Sequence, residues 1–133
     1  MPAYHLHGVR VFECPVEGNP LRNDRDAAGL IGTVWQNGGA AWIAIPTQCL
    51  TEDFFRLSTR LAGGIIQKFL NYRLRLAIVG DISWYVDASS ALRDFVAESN
   101  RGDHVWFVAN LDELDRRLKM RDHRKRDFSV QTP

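Results

Sequence analysis

The chain has 133 residues, near the modal size of one domain, so a single hydrophobic core is expected and a second domain has no room. With 45% hydrophobic and 25% charged residues and a net charge of +1, it carries neither the charge of a disordered chain nor a global bias toward polyanions. Its apolar stretches fall far below the roughly 20 residues that cross a bilayer, and Cys14 and Cys49 lack CxxC spacing. The first residues also lack a basic stretch and apolar core, and together these features suggest a reduced, cytoplasmic protein.

Apolar alternation through Leu6, Val9, Val11 and Cys14 around His7-Gly8 predicts an antiparallel pair over residues 3–7 and 9–14, followed by a Pro/Gly loop over residues 15–20. From Asn23, a candidate N-cap, Ala27, Leu30, Ile31, Val34 and Trp35 recur at helical spacing, and Gly38-Gly39 marks the end. Residues 40–45 form a short apolar run stopped by Pro46, as suits a buried strand.

Thr51 then opens a helix whose apolar stripe runs through Phe54, Leu57, Leu61, Ile65 and Phe69. Residues 74–79 are apolar apart from Arg75, the pattern of a central parallel strand covered on both faces. A further helix starts at Ser89 or Ser90 and ends at Gly102, placed to take a left-handed conformation. A strand over residues 104–108 follows, and Asn110 with Glu113 forms a capping box for a last helix bearing Leu111, Leu114 and Leu118. The order β-β-α-β-α-β-α-β-α implies a single-domain α/β fold over residues 1–120, its sheet mixed but mostly parallel, with a basic, flexible tail over residues 121–133.

The runs DFFRLSTRLAG (53–63), IQKF (66–69), NYR (71–73), LAIVGD (76–81), LRDF (92–95) and ESNRG (98–102) together resemble the bacterial DUF4180 family, over about residues 9–118. The chain departs from that family's pattern at Arg60 and Gly64, where glycine and glutamate are usual, and at Gln48-Cys49, where acidic residues often stand. The resemblance brings no established activity. The element order, with a Ser-Thr pair before Leu-Ala-Gly, also resembles the STAS domains of anti-sigma-factor antagonists; that likeness implies phosphorylation at Ser58 or Thr59.

Ligands of open α/β sheets gather at the carboxyl ends of parallel strands, here residues 46–49, 80–83 and 109–110. Asp81 is the sharpest candidate, as a carboxylate orienting a ligand or as a plain turn cap. Ser83 and Trp84 beside it, and Arg93 and Arg101 on the next helix, complete the expected ligand site, the arginines being suited to carboxylate or phosphate. Trp84-Tyr85 is read as a loop pair that covers a ligand or meets another subunit, which leaves a homodimer open.

His5 and His7 share a strand face, but with no third ligand nearby no metal is expected, and no cofactor motif appears. The basic residues after Leu114 lack interleaved aromatics, so nucleic acid is not expected as a partner. The leading expectation is a small binding or regulatory domain that recognises a partner protein or small ligand at the carboxyl ends of its central strands. The alternative is a small tailoring or self-resistance enzyme acting on a hydrophobic substrate, with Asp81 or His7 as acid/base.

Overall fold

The computed structural model describes the main chain of residues 3–15 and 20–131, and side chains among these as far as Arg121. Strands β1 (Ala3–Leu6) and β2 (Val9–Glu13) form the expected antiparallel hairpin, with Leu6 opposite Val9. His7 and Gly8 both have positive φ, 52° and 78°, the two-residue turn whose twist matches that of the strands it joins. Residues 16–19 of the loop expected next lie outside the described residues.

Helix α1 (Asp24–Gln36) starts where the Asn23 side chain accepts from the Asp26 amide, as its sequence requires. At its other end Arg10 reaches across from β2 and donates to the Gly39 and Asn37 carbonyls, each at 2.7 Å, so a strand side chain closes the helix. Strand β3 (Trp42–Pro46) pairs parallel with β2, β4 (Arg75–Val79) with β3, and β5 (Val105–Val108) with β4. The spatial order β1-β2-β3-β4-β5 is therefore the sequence order.

The long helix expected from Thr51 is not formed. The chain makes two 3-10 turns, Glu52–Phe55 and Leu57–Thr59, passes through a left-handed residue at Arg60 (φ 62°), and only then enters α2 (Leu61–Asn71). Phe54, Leu57 and Leu61 are spaced by three and four, which 3-10 turns satisfy as well as an α-helix does. Two features favour the turns: consecutive Phe54 and Phe55 are both buried, and the Thr59 hydroxyl lies 2.7 Å from the Asp53 carbonyl and accepts from the Leu61 amide.

Between β4 and β5 a short helix, α3 (Ser83–Ala88), stands where a loop was expected, and α4 (Ser90–Arg101) begins at the Ser89 cap. Gly102 is extended (φ −89°, ψ −170°) rather than left-handed. Its carbonyl instead accepts from the Trp106 indole at 2.7 Å, so the chain leaves the helix straight for β5. Helix α5 (Leu111–Gln131) carries the main chain past the boundary at residue 120 where the sequence suggested a tail; residues 132 and 133 lie outside the described residues. No described helix is long and apolar enough to cross a membrane.

Because the parallel strands follow in order, right-handed crossovers set α1, α2 and α4 on one face of the sheet. There Phe12, Ile43, Ile45, Leu76, Ile78 and Phe107 meet Ala27, Ile31, Val34, Ile65, Phe69 and Leu92. Helix α5 lies on the opposite face, where Leu114 and Leu118 cover Trp42, Trp106, Val11 and Val108. Trp42 and Trp106 are in ring contact at 4.3 Å, and the Arg117 guanidinium caps the Trp106 ring at 4.4 Å.

Candidate functional site

The chain leaves β4 toward α3 and α4 on one face and leaves β5 toward α5 on the other. Adjacent parallel strands whose exits diverge open a crevice between them, the ordinary binding position of open α/β sheets. Two hollows occupy it, and both are lined by Gly80 and Ala109, the first residues after β4 and β5.

The hollow on the α5 side has a volume of about 500 Å³ and is lined by Glu13, Ala44, Pro46, Gln48, Val79, Asn110, Leu111 and Asp112. Strand alternation explains its floor: Glu13, Ala44, Pro46 and Val79 all project from the α5 face, and small Ala44 leaves room beside Glu13. The hollow on the α4 side has about 380 Å³ and includes Asp81, Ser83, Asp87, Val96, Phe107 and Glu113. Lining carboxylates thus stand on both sides, and among the described residues no lysine or arginine lines either hollow.

Gly80 holds the wall between the two. Its φ of +144° excludes most side chains, and a β-carbon there would stand 2.5 Å from the Thr47 hydroxyl oxygen. Asp81 has the capping geometry: one carboxylate oxygen accepts from the Ser83 hydroxyl at 2.6 Å and from the Ser83 amide at 2.9 Å. These bonds, the hydroxyl's first, hold its carboxyl below the usual range, so Asp81 stays ionised at neutral pH. At the start of α5 the Asn110 side chain accepts from the Glu113 amide and Glu113 accepts from the Ala109 amide, the reciprocal pairing of a capping box shifted by one residue.

The residues expected to form one ligand site are divided. Asp81 and Ser83 line the crevice, whereas Trp84 lies in a third hollow of about 500 Å³ with Phe55, Leu57, Ser58, Tyr85 and Ala91. Trp84 is 73% exposed and ends an aromatic series: its edge meets Tyr85, which stacks on Phe55 at 4.4 Å. Arg93 donates to the Val86 carbonyl at 3.4 Å and lines none of these hollows. Arg101 pairs with Glu98 at the end of α4 that leads into β5, roughly one and a half turns, about 7.5 Å of helix, beyond Val96 of the α4-side hollow. Asp81 is bonded to Ser83, while Arg93 and Arg101, expected to form a charged rim near it, are engaged with Val86 and Glu98.

His7 sits in the hairpin turn beside the start of β2, so it and Asp81 lie at opposite ends of the sheet. Its Nε2 meets Asp115 at 2.9 Å and ties the hairpin to α5. Among the described residues no group of three or more His, Cys, Asp or Glu side chains is placed to hold a metal ion. Ser58 and Thr59 are both exposed, but the Thr59 hydroxyl is engaged by the 3-10 turns and Ser58 lines the Trp84 hollow. Of the basic run after Leu114, Arg117 covers Trp106 and donates to the Asn100 carbonyl, and Arg121 approaches Asp103 at 3.9 Å.

Sequence reasoning placed Gln48 in the carboxyl-end segment 46–49 but missed Glu13 and Asp112. The signal for Glu13 was present, since alternation sets it on the buried face of Val11, at the carboxyl end of its strand. No curated protein and no solved structure matches the chain. A family model described as Domain of unknown function (DUF4180) matches residues 6–118, and the chain belongs to that family.

Proposed function

We propose that this is a small-ligand binding domain, serving recognition or regulation, whose site is the crevice between the exits of β4 and β5. The observation that carries the reading is the pair of hollows that share Gly80 and Ala109 as lining residues, at the place where the chain departs to opposite faces of the sheet. The lining favours a compact ligand with a positively charged nitrogen: Glu13 and Asp112 flank one hollow, and Asp81, Asp87 and Glu113 the other. Phosphate and carboxylate ligands would meet these charges with no lysine or arginine among the described lining residues to offset them.

The test is a thermal-shift titration of the full chain with small alkyl- and arylamines beside the matching carboxylates and inorganic phosphate. Stabilisation by amines alone, weakened in Glu13→Gln or Asp112→Asn, supports the reading. Stabilisation by the anions, or by none of the probes, removes it.

A further inference from the structure

The two cysteines, far apart in sequence, come together where β2 and β3 end. Cys14 follows β2, its amide bonded to the Ala44 carbonyl at 2.9 Å, and Cys49 closes the 3-10 turn after β3, its carbonyl accepting from the Leu21 amide at 2.7 Å. Both side chains are buried, with Cys14 5% and Cys49 3% exposed. Both sulfurs converge on one acceptor, the Pro15 carbonyl, at 4.0 Å for Cys14 and 3.5 Å for Cys49. Packing alone accounts for the burial of two small, soft residues. It does not require two sulfurs from different chain segments to approach one oxygen.

We propose that Cys14 and Cys49 form a redox pair, closed to an intramolecular disulfide by hydrogen peroxide and reopened by a dithiol. The oxidant is scarcely larger than water, so the small exposed fraction of each thiol suffices for access. The Cys49 thiolate attacks one peroxide oxygen, the O–O bond breaks, and the departing hydroxide takes up the proton that Cys49 gave up, leaving a sulfenic acid and water. The Cys14 sulfur then attacks the Cys49 sulfur, the S–S bond forms, and the sulfenic oxygen leaves as a second water with the Cys14 proton. Two thiols lose two electrons and the peroxide gains them; a dithiol later returns two electrons and two protons and becomes a disulfide itself.

The electrostatics agree with this order of attack. A hydrogen bond between the thiols holds Cys49 below its ordinary value and, with burial adding to the effect, raises Cys14, so Cys49 is the first to ionise. Glu13 and Gln48 are the chain neighbours of the two cysteines and line the larger crevice hollow. The disulfide therefore ties two walls of that hollow together, a consequence that rests on the crevice being the ligand site.

The full chain, reduced and then titrated with hydrogen peroxide, tests the chemistry. The expected result is a monomer lighter by two hydrogens, with both thiols lost to a thiol reagent under denaturing conditions, a proteolytic fragment joining Cys14 to Cys49, and recovery with dithiothreitol. Cys14→Ala keeps the pocket apolar and should leave a Cys49 sulfenic acid that dimedone traps. Two persisting thiols, chain-to-chain disulfides, or sulfinic and sulfonic acids without an intramolecular bond overturn the proposal. Amide hydrogen exchange at Glu13 and Gln48 should slow in the oxidised chain; unchanged exchange overturns the link to the crevice. The amine titration is independent of both readouts, so its failure and the failure of the redox pair are told apart.

Discussion

The main chain at Gly80 lies so close to Thr47 that an added β-carbon would stand 2.5 Å from the Thr47 hydroxyl oxygen and 2.8 Å from its methyl carbon. The contact joins the exit of β4 to the turn after β3, and both segments line the larger crevice hollow. A glycine is required twice over at this position, for its φ of +144° and for the space. Gly80→Ala is therefore expected to cost about 2–4 kcal/mol in urea unfolding, combining backbone strain with a clash. Adding Thr47→Ala should recover the clash but not the strain; a Gly80→Ala variant within about 0.5 kcal/mol of wild type would refute the account.

Asn100 on α4 acts as a short extra strand for the outer edge of β5. Its side-chain oxygen accepts from the Phe107 amide at 2.7 Å and its nitrogen donates to the Phe107 carbonyl at 3.3 Å, while its own carbonyl accepts from Arg117. Asn100→Ala should destabilise the fold by about 1–3 kcal/mol, because it leaves partly buried main-chain groups without partners. Hydrogen exchange localises the effect: the Phe107 amide should exchange faster while the Ala77 amide in the sheet interior should not.

Asp81 makes the stability depend on pH in a defined direction. Its folded-state pKa lies below its unfolded value, so the contribution is present above the unfolded value and is lost as pH falls through the folded one. Melting curves of wild type and Asp81→Asn should differ most near neutrality and converge below about pH 4, the ordinary range of the group. A difference that grows on acidification would contradict the capping geometry.

The two hydroxyls before α2 should respond differently to substitution. Thr59→Ala removes the link from the Asp53 and Arg56 carbonyls to the Leu61 amide and is expected to cost about 1 kcal/mol. Ser58→Ala should stay within about 0.5 kcal/mol, as surface substitutions away from such links do. Ser58→Glu should fold normally whereas Thr59→Glu should lower the melting temperature, because the Thr59 hydroxyl is tied into the turn. Equal losses from Ser58→Ala and Thr59→Ala would show that the turn does not depend on the Thr59 hydroxyl.

Much of the fold could be read from residues that act on their immediate neighbours. The His7-Gly8 turn, the caps at Asn23, Ser89 and Asn110, and the short apolar runs that end at Pro46 and before Gly80 each depend on hydrogen bonds or side-chain patterns spanning a few residues. Those interactions exist whatever the rest of the chain does. The same reasoning failed at Phe54 and Leu57, because spacings of three and four are shared by 3-10 turns and α-helices. It also failed at Trp84 and Tyr85, in a helix of six residues that is too short for a periodic signal.

What the sequence by itself determined is therefore the identity and order of the local elements, an α/β chain with a mostly parallel sheet, and the capping role of Asp81 as one of two readings. Only the tertiary structure decided that Asp81 and Arg93 serve separate contacts, that Glu13 and Asp112 line one hollow, and that Cys14 and Cys49 meet at Pro15. The reason is physical. Those juxtapositions follow from the strand order and from the faces onto which α4 and α5 fold, which depend on burial summed over the whole sheet, and no nearby residue records that sum.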